Sequence, residues 1–118
     1  MDHKDLDVWK KGMDLVVKVY QITQSFPDTE KYGLTSQMRR AAISIPSNIA
    51  EGAARKGDKE LVQFLYISIG SLSELETQYL IAIRLEFVIK EDAFEQQLTE
   101  VKKLLIGFKN YIKNKYGE

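Results

Sequence analysis

The chain has 118 residues, with 17 Lys and Arg, 17 Asp and Glu, one histidine and no cysteine. That length is typical of one domain, which can bury a core without staples. Zero net charge removes the simplest argument for nucleic-acid binding, and the cysteine count excludes disulfides and thiolate chemistry. Because the sequence has no membrane-length apolar run and no signal-peptide pattern, we expect a cytoplasmic protein without a membrane span.

Four helical segments are predicted in chain order, at about 7–24, 35–55, 59–86 and 91–114. In the first, apolar residues step by three and four along two adjacent lines: Leu6, Trp9, Met13, Val16 and Tyr20, then Val8, Leu15, Val19 and Ile22. Such a wide stripe is typical of a helix that packs against two neighbours. Pro27 ends the segment, because the residue before a proline disfavours the helical region.

The second segment keeps helical spacing although it contains two residues that are unfavourable in helices. Pro46 lacks an N–H and crowds the preceding turn, at a cost of about 3 kcal/mol or more. Gly52 costs roughly 1 kcal/mol relative to alanine. Thr35 is the predicted N-cap. Beside the apolar face runs a polar stripe: Gln37, Arg40, Ser44, Ser47, Glu51 and Arg55.

The third and fourth segments have the spacing of a bundle seam. Their apolar residues step four and three: Leu61, Leu65, Ser68, Leu72, Leu75, Tyr79 and Ala82, then Phe94, Leu98, Val101, Leu105, Phe108 and Ile112. Gly57 is a predicted left-handed C-cap between the second and third segments. Short links imply antiparallel neighbours, so the sequence predicts an all-α, up-down-up-down four-helix bundle, with residues 1–118 as a single domain.

The sequence lacks the reactive side chains and motifs that the common enzyme mechanisms require. His3 is the single histidine and lies in the N-terminal tail, so a His-based dyad or a di-iron bundle site has no ligand or base. The sequence has no P-loop, no Gly-x-Gly-x-x-Gly and no Cys-x-x-Cys. We therefore expect no catalytic residues, no cofactor and no metal.

Two groups of basic residues are candidates for contact with nucleic acid or a partner. Arg39 and Arg40 could grip phosphates or a carboxylate, or else lie on a solvated face. Lysines near the C-terminus could follow a phosphate backbone, with Tyr111 and Tyr116 stacking on bases: Lys102, Lys103, Lys109 and Lys113. The alternative for these lysines is that they complement the helix dipole and aid solubility.

Four residues of the second segment are predicted to be structural. Pro46 bends the helix and Gly52 permits close approach of a neighbour. Asn48 donates to a carbonyl freed by the proline or crosses to another helix, and so fixes the register. Glu51 pairs with Arg55 one turn later. Apolar residues lie off the core stripe and indicate subunit contact: Val17, Ile43, Ala50 and Tyr66.

One long run is specific enough to suggest a family. The run is Glu30-x-Tyr32-Gly33-Leu34-x-x-Gln37-x-Arg39-Arg40-Ala41-Ala42-x-Ser44-Ile45-Pro46-x-Asn48-Ile49-Ala50-Glu51-Gly52, followed by Gly70-Ser71-x-x-Glu74-Leu75-Glu76. It resembles the bacterial four-helix-bundle family of 23S rRNA-intervening-sequence proteins, over nearly the whole chain. The opening Leu6-x-Val8-Trp9 and the Phe26-Pro27 stop are similar to that family as well.

The resemblance implies properties that spacing does not show. Such proteins are often encoded within intervening sequences of large-subunit ribosomal RNA genes. A related branch, the accessory variability protein of diversity-generating retroelements, forms homopentamers and binds nucleic acid and a reverse transcriptase. Those relatives are markedly basic, whereas this chain is neutral. By position, Arg39 and Arg40 match the family's basic pair.

Two functions follow as hypotheses. One is a non-enzymatic, cyclic homo-oligomer, a pentamer by resemblance, that binds structured RNA or DNA and by the same analogy a reverse transcriptase. The other is a protein-only scaffold or adaptor whose arginines serve subunit assembly.

Overall fold

The computed structural model describes residues 1–115, and these fold into four α-helices, which confirms the predicted all-α bundle. The helices are α1 (Asp7–Thr23), α2 (Leu34–Ala53), α3 (Asp58–Arg84) and α4 (Asp92–Lys115), with short 3-10 turns at His3–Asp5 and Asp28–Glu30. Each helix packs against its two neighbours in a ring, so α1 lies diagonal to α3 and α2 to α4. The bundle measures 47 × 24 × 22 Å.

The core follows the predicted heptad seams. All seven seam residues of α3, from Leu61 to Ala82, are buried, and on α4 only Phe108 is partly exposed. On α1 the second apolar line, which contains Leu15 and Val19, forms the core. The first line of α1 was predicted to share that role, but Met13 and Tyr20 are exposed. The surface that α2 and α4 cover on α1 is therefore narrower than the apolar stripe.

Pro46 is buried and faces α1 rather than solvent. Its ring packs against the backbone of Gly12, where an added Cβ would lie 3.6 Å from the Cβ and 3.7 Å from the Cδ of Pro46. α2 is a continuous helix from Leu34 to Ala53, with the proline inside it. The proline therefore contributes apolar contact to the α1–α2 interface.

Seven of the eight predicted helix ends differ from the observed ends by one or two residues, and two predicted caps are wrong. Thr35 is buried inside the first turn of α2, and the Glu30 carboxylate accepts the Leu34 N–H at 3.0 Å instead. Gly57 has φ −116°, so it is not left-handed; it precedes α3 as the N-cap. α3 ends at Arg84 because Glu86 is left-handed, with φ 63°. α2 ends at Ala53.

Candidate functional site

The polar stripe of α2 faces α3, and the two helices form a polar groove between them. The α2–α3 groove has a volume of about 310 Å³ and is lined by Gln37, Arg40, Ala41 and Ser44 of α2 and by Ser71, Glu74 and Gln78 of α3. The spacing explains the lining, because residues three or four apart lie on one side of a helix. Six of its seven lining residues are polar or charged.

A hydrogen-bonded chain of side chains fixes the wall of the groove. The hydroxyls of Ser44 and Ser71 lie 2.8 Å apart and join α2 to α3. Asn48 Nδ2 donates to the carbonyl and the hydroxyl of Ser44, at 2.8 and 2.9 Å. Both predicted partners of Asn48 are wrong, because its amide stays on its own helix and bonds to Ser44 rather than to Ala42, whose carbonyl Pro46 leaves free. The link to α3 passes through Ser44. Deeper in the interface, the Ser68 hydroxyl donates to the Ile45 carbonyl at 2.9 Å.

Gln78 brings a buried amide to the same groove. The residue is 6% exposed, and its Oε1 has no hydrogen-bond partner among residues 1–115. Buried polar atoms are paired in the great majority of cases, so an unpaired carbonyl oxygen calls for an explanation. Arg40 and Glu74 line the groove with opposite charges, and within those residues neither forms an ion pair.

Arg39 and Arg40 point to different sides of α2. The guanidinium of Arg39 lies 4.3 Å from the ring centroid of Tyr20, and its Nε donates to Thr23 Oγ1 at 2.9 Å. Both partners are on α1. The predicted basic pair is therefore divided: Arg39 stabilises the α1–α2 interface, whereas Arg40 is exposed beside α3.

The other two predicted structural residues of α2 lie toward its C-terminus. Glu51 Oε1 accepts from Arg55 at 3.4 Å, as its spacing predicts. Gly52 is buried against α3, where an added Cβ would lie 2.8 Å from the Cβ of Phe64 and 3.3 Å from the Leu61 carbonyl oxygen. Gly52 thus permits the close approach of α2 and α3 that the sequence predicts.

The α4 lysines divide into two sets. Lys102, Lys109 and Lys113, spaced by seven and four residues, share the side of α4 next to α3; we call them the α4 lysine face. The ammonium groups of Lys109 and Lys113 lie 5.3 and 5.8 Å from the ring centroid of Tyr66. Lys113 Nζ also donates to the Tyr66 hydroxyl at 3.3 Å. Tyr116, a predicted stacking residue, lies outside the described residues.

Lys103 lies apart from the α4 lysine face. It lines an apolar depression between α4 and the start of α1, beside Leu6 and Phe108. Lys103 also borders a depression of about 640 Å³, whose lining comes entirely from α4. Because one helix supplies the whole lining, that depression has no opposing wall. Apart from the three residues of the α4 lysine face, the predicted basic residues therefore lie on separate surfaces of the bundle.

Tyr79 connects α3 to the start of α4 through a nearly buried hydroxyl. It accepts the backbone N–H of Glu91 and donates to Glu95 Oε2, both at 2.9 Å. Burial raises the pKa of Tyr79 above its usual 10.0, although the Glu91 N–H opposes the shift. Lys90 bonds to Asp92 and Glu95 at 2.8 and 3.0 Å, which lowers the pKa of both carboxyls and raises that of Lys90.

Neither a metal-binding cluster nor a membrane-spanning helix is present in the described part of the chain. Among residues 1–115, no group of three or more His, Cys, Asp or Glu side chains is arranged to hold a metal ion. None of the helices there combines the length and hydropathy needed to cross a bilayer.

Sequence reasoning missed Gln78 and did not place Ser71 and Glu74 in one site. The available signal was their spacing, because these three residues step three and four along one side of α3. Their opposition to the polar stripe of α2 depends on which helices pair, and that information comes only from the assembled bundle.

Comparison with known proteins identifies the family. The family described as 23S rRNA-intervening sequence protein matches residues 4–107. Among solved structures, the chain is similar to a protein with unknown function from the S23 ribosomal protein family of Bacteroides thetaiotaomicron VPI-5482, solved at 1.70 Å. The two share 22% identity with a TM-score of 0.80, over 93% of this chain and 99% of that one, which supports the fold alone. None of the curated proteins compared matches. Since the family match covers most of the chain, from before α1 into α4, this chain belongs to the 23S rRNA-intervening sequence protein family.

Proposed function

We propose that this protein is a non-enzymatic, cytoplasmic, homo-oligomeric accessory protein that binds structured RNA or DNA through the α4 lysine face. The observation that supports this proposal is the juxtaposition of Lys109 and Lys113 with the exposed ring of Tyr66, on the side of α4 that also carries Lys102. Clustered lysines follow a phosphate backbone, and exposed aromatic rings stack on bases without sequence preference. Lys102 and Lys109 form no ion pair within residues 1–115, so their charge is available to phosphates.

Zero net charge limits the range over which this protein can attract nucleic acid. The protein as a whole does not attract nucleic acid over long range, so contact depends on the local face. A ring of subunits would present several copies of that face together, and linked sites bind more tightly than single ones. The family description, which names the 23S rRNA intervening sequence, makes structured ribosomal RNA the first ligand to test.

Self-assembly is supported by apolar side chains on two different faces. Met13, Val17 and Tyr20 are 43, 57 and 40% exposed on α1. On α3, Leu80 and Ile81 are 52 and 43% exposed. Because α1 and α3 lie on a diagonal, the two patches face different directions. A cyclic oligomer requires such a pair of unlike surfaces on each subunit. The number five rests on resemblance, as does a reverse transcriptase as partner.

A gel-shift experiment with structured ribosomal RNA tests the nucleic-acid proposal. We expect a shift at about 50 mM salt and roughly 20- to 40-fold weaker binding at 200 mM, for three phosphate contacts. The triple variant K102Q/K109Q/K113Q should lose the shift. The control K4Q/K10Q/K56Q makes the same charge change at exposed positions elsewhere and should keep it. Absence of a shift with micromolar wild-type protein contradicts the proposal.

Light scattering on a gel-filtration peak tests assembly. We expect a mass near five times 13.6 kDa. Val17→Glu should reduce the mass, whereas Gln96→Glu, which adds the same charge to the exposed side of α4, should not. A monomer at micromolar concentration contradicts this part of the proposal.

The second candidate function is a protein-only scaffold or adaptor, and the two apolar faces are the observation that favours it. It predicts assembly without any RNA shift. If its arginines serve assembly, Arg40→Ala should lower the mass, since Arg40 is exposed whereas Arg39 is already bonded to α1.

A further inference from the structure

The α2–α3 groove contains an acceptor that needs a donor from outside the described chain. Gln78 Oε1 is buried and unpaired within residues 1–115, and its residue lines the groove. Every other buried side-chain nitrogen or oxygen in those residues has a partner. Oε1 is almost fully covered in this conformation, so an N–H donor in the groove would complete the set once the Gln78 amide turns toward it.

Two opposite charges lie at the same groove without neutralising each other. Arg40 on α2 and Glu74 on α3 both line it, and neither pairs with another charge among the described residues. On the same stripe, Glu51 and Arg55 form an ion pair with each other at 3.4 Å. Arg40 and Glu74, by contrast, are available to bind charged groups of a ligand. The groove thus offers one cationic and one anionic binding group.

The backbone and walls of the groove are held in place before any ligand arrives. The Ser44–Ser71 contact at 2.8 Å joins the two helices, and Asn48 holds the Ser44 hydroxyl at 2.9 Å. Sites built on helices with locked supporting side chains keep a defined geometry. The hydroxyl wall is therefore pre-organised.

These groups together select a ligand by charge type. A guanidinium binds a carboxylate through two parallel N–H···O bonds, while Glu74 and Gln78 Oε1 both require N–H donors. Glu74 repels a phosphate or any other simple anion, and Arg40 repels a simple amine. A volume of about 310 Å³ is at the lower end of the range for ligand sites.

We propose that the α2–α3 groove binds a small zwitterion of the α-amino-acid class, with its carboxylate on Arg40 and its ammonium group between Glu74 and Gln78 Oε1. This inference does not depend on RNA binding.

Thermal-shift and calorimetric titrations of the full chain test the site. The probes are the standard L-amino acids, each alone, with sodium acetate, methylammonium chloride and inorganic phosphate as single-charge controls. We expect at least one amino acid to raise Tm saturably, and none of the three controls to do so. Arg40→Gln and Glu74→Gln should each weaken that binding at least tenfold. Lys56→Gln and Glu60→Gln remove the same charges outside the groove and should leave it unchanged.

A second variant tests Gln78 separately. Gln78→Met removes the unpaired oxygen with little change in volume, so it should raise Tm in the absence of ligand and abolish amino-acid binding. A lower Tm for that variant would show that the amide is already satisfied, which overturns the argument.

Three other results overturn the proposal. One is that no amino acid binds the wild type. Another is that acetate or phosphate binds and only Arg40→Gln removes it, which makes the groove a simple anion site. The third is that Arg40→Gln and Glu74→Gln lower the oligomer mass without any amino-acid response, which places a second copy of the chain in the groove. A negative RNA gel shift affects none of these readouts, because that experiment reports on the α4 lysine face.

Discussion

The Cβ atom that Gly52 lacks would lie 2.8 Å from the Cβ of Phe64, on the facing helix. Real Cβ atoms do not approach this closely, and the Leu61 carbonyl oxygen, at 3.3 Å, limits any local shift. The absence of a side chain at Gly52 therefore sets how closely α2 and α3 pack. This gain compensates for the poor helix propensity of glycine.

Gly52→Ala should destabilise the protein even though alanine is the better helix former. The propensity gain is about 1 kcal/mol, while overpacking a tight site costs typically 1–3 kcal/mol. We expect a net loss of up to about 2 kcal/mol in the free energy of unfolding, measured by urea denaturation. Gly70→Ala is the matched control, because nothing lies within 4 Å of an added Cβ there. It should gain about 0.5–1 kcal/mol. Equal gains in both variants would contradict the close approach.

Arg39→Met should weaken the α1–α2 interface. The substitution keeps most of the apolar stem but removes the bond to Thr23 Oγ1 and the contact with the Tyr20 ring. Because the site is partly exposed, we expect a loss of about 1–2 kcal/mol in urea denaturation. Arg40→Met, which removes no bond within residues 1–115, should change stability by less than about 0.5 kcal/mol. The prediction fails if the two arginine variants are equally stable.

Tyr79→Phe should loosen the junction of α3 and α4. The lost hydroxyl leaves the Glu91 N–H and Glu95 Oε2 without their partner, at a cost of about 1–3 kcal/mol near pH 7. Because the pKa of Tyr79 is raised above 10.0, its contribution to stability is fully present below pH 10.0 and is lost as the pH rises through the raised value. The stability difference between wild type and variant should therefore shrink above pH 10.0. A difference that stays constant in alkaline urea titrations would contradict this.

Lys90→Gln should raise the pKa of the Glu95 carboxyl toward its usual 4.5. Lys90 is the main cause of the lowered pKa, and the Tyr79 hydroxyl supplies the remainder. A lowered pKa gives stability that is present above pH 4.5 and is lost as the pH falls through the lowered value. NMR titration of the side-chain carboxyl carbons measures the shift directly. Lys56→Gln should leave the Glu95 titration unchanged, and an unmoved Glu95 pKa in Lys90→Gln would refute the assignment.

The bundle itself could be predicted from the sequence because burial follows periodicity. The four-three steps on α3 and α4 identify side chains that must share one face, whatever their neighbours are. On α1, two apolar lines satisfied the same rule, and only packing shows that Leu15 faces the core while Met13 faces outward. Periodicity determines which residues lie together, but not how far around the helix the neighbours extend.

Helix ends were less predictable because their hydrogen bonds come from outside the helix. The Leu34 N–H is bonded by Glu30, a residue of the preceding turn, so Thr35 is not needed as a cap. Glu86 adopts a left-handed conformation that favours glycine, while the Phe87 N–H bonds to the Ala82 carbonyl at 2.9 Å. Because position 86 is a glutamate rather than a glycine, the sequence gives no signal for that turn.

Only one wall of the candidate site could be predicted from the sequence. The residues of the polar stripe of α2 were identified from the sequence, but the helix that lies beside them was not. The structure places α3 along its edge, so the stripe is one wall of a groove. The other wall, with Gln78, becomes recognisable only when burial is known, because a lone glutamine in a sequence has no distinguishing pattern.

The Ser44–Ser71 contact has a mechanical consequence. Sliding α2 by one turn along α3 is a displacement of about 5.4 Å, which would separate the two hydroxyls. The same displacement would remove Gly52 from the position opposite Phe64 and bring a larger residue there. Two contacts at different heights therefore oppose axial slip of α2 along α3 and fix the register of the two helices.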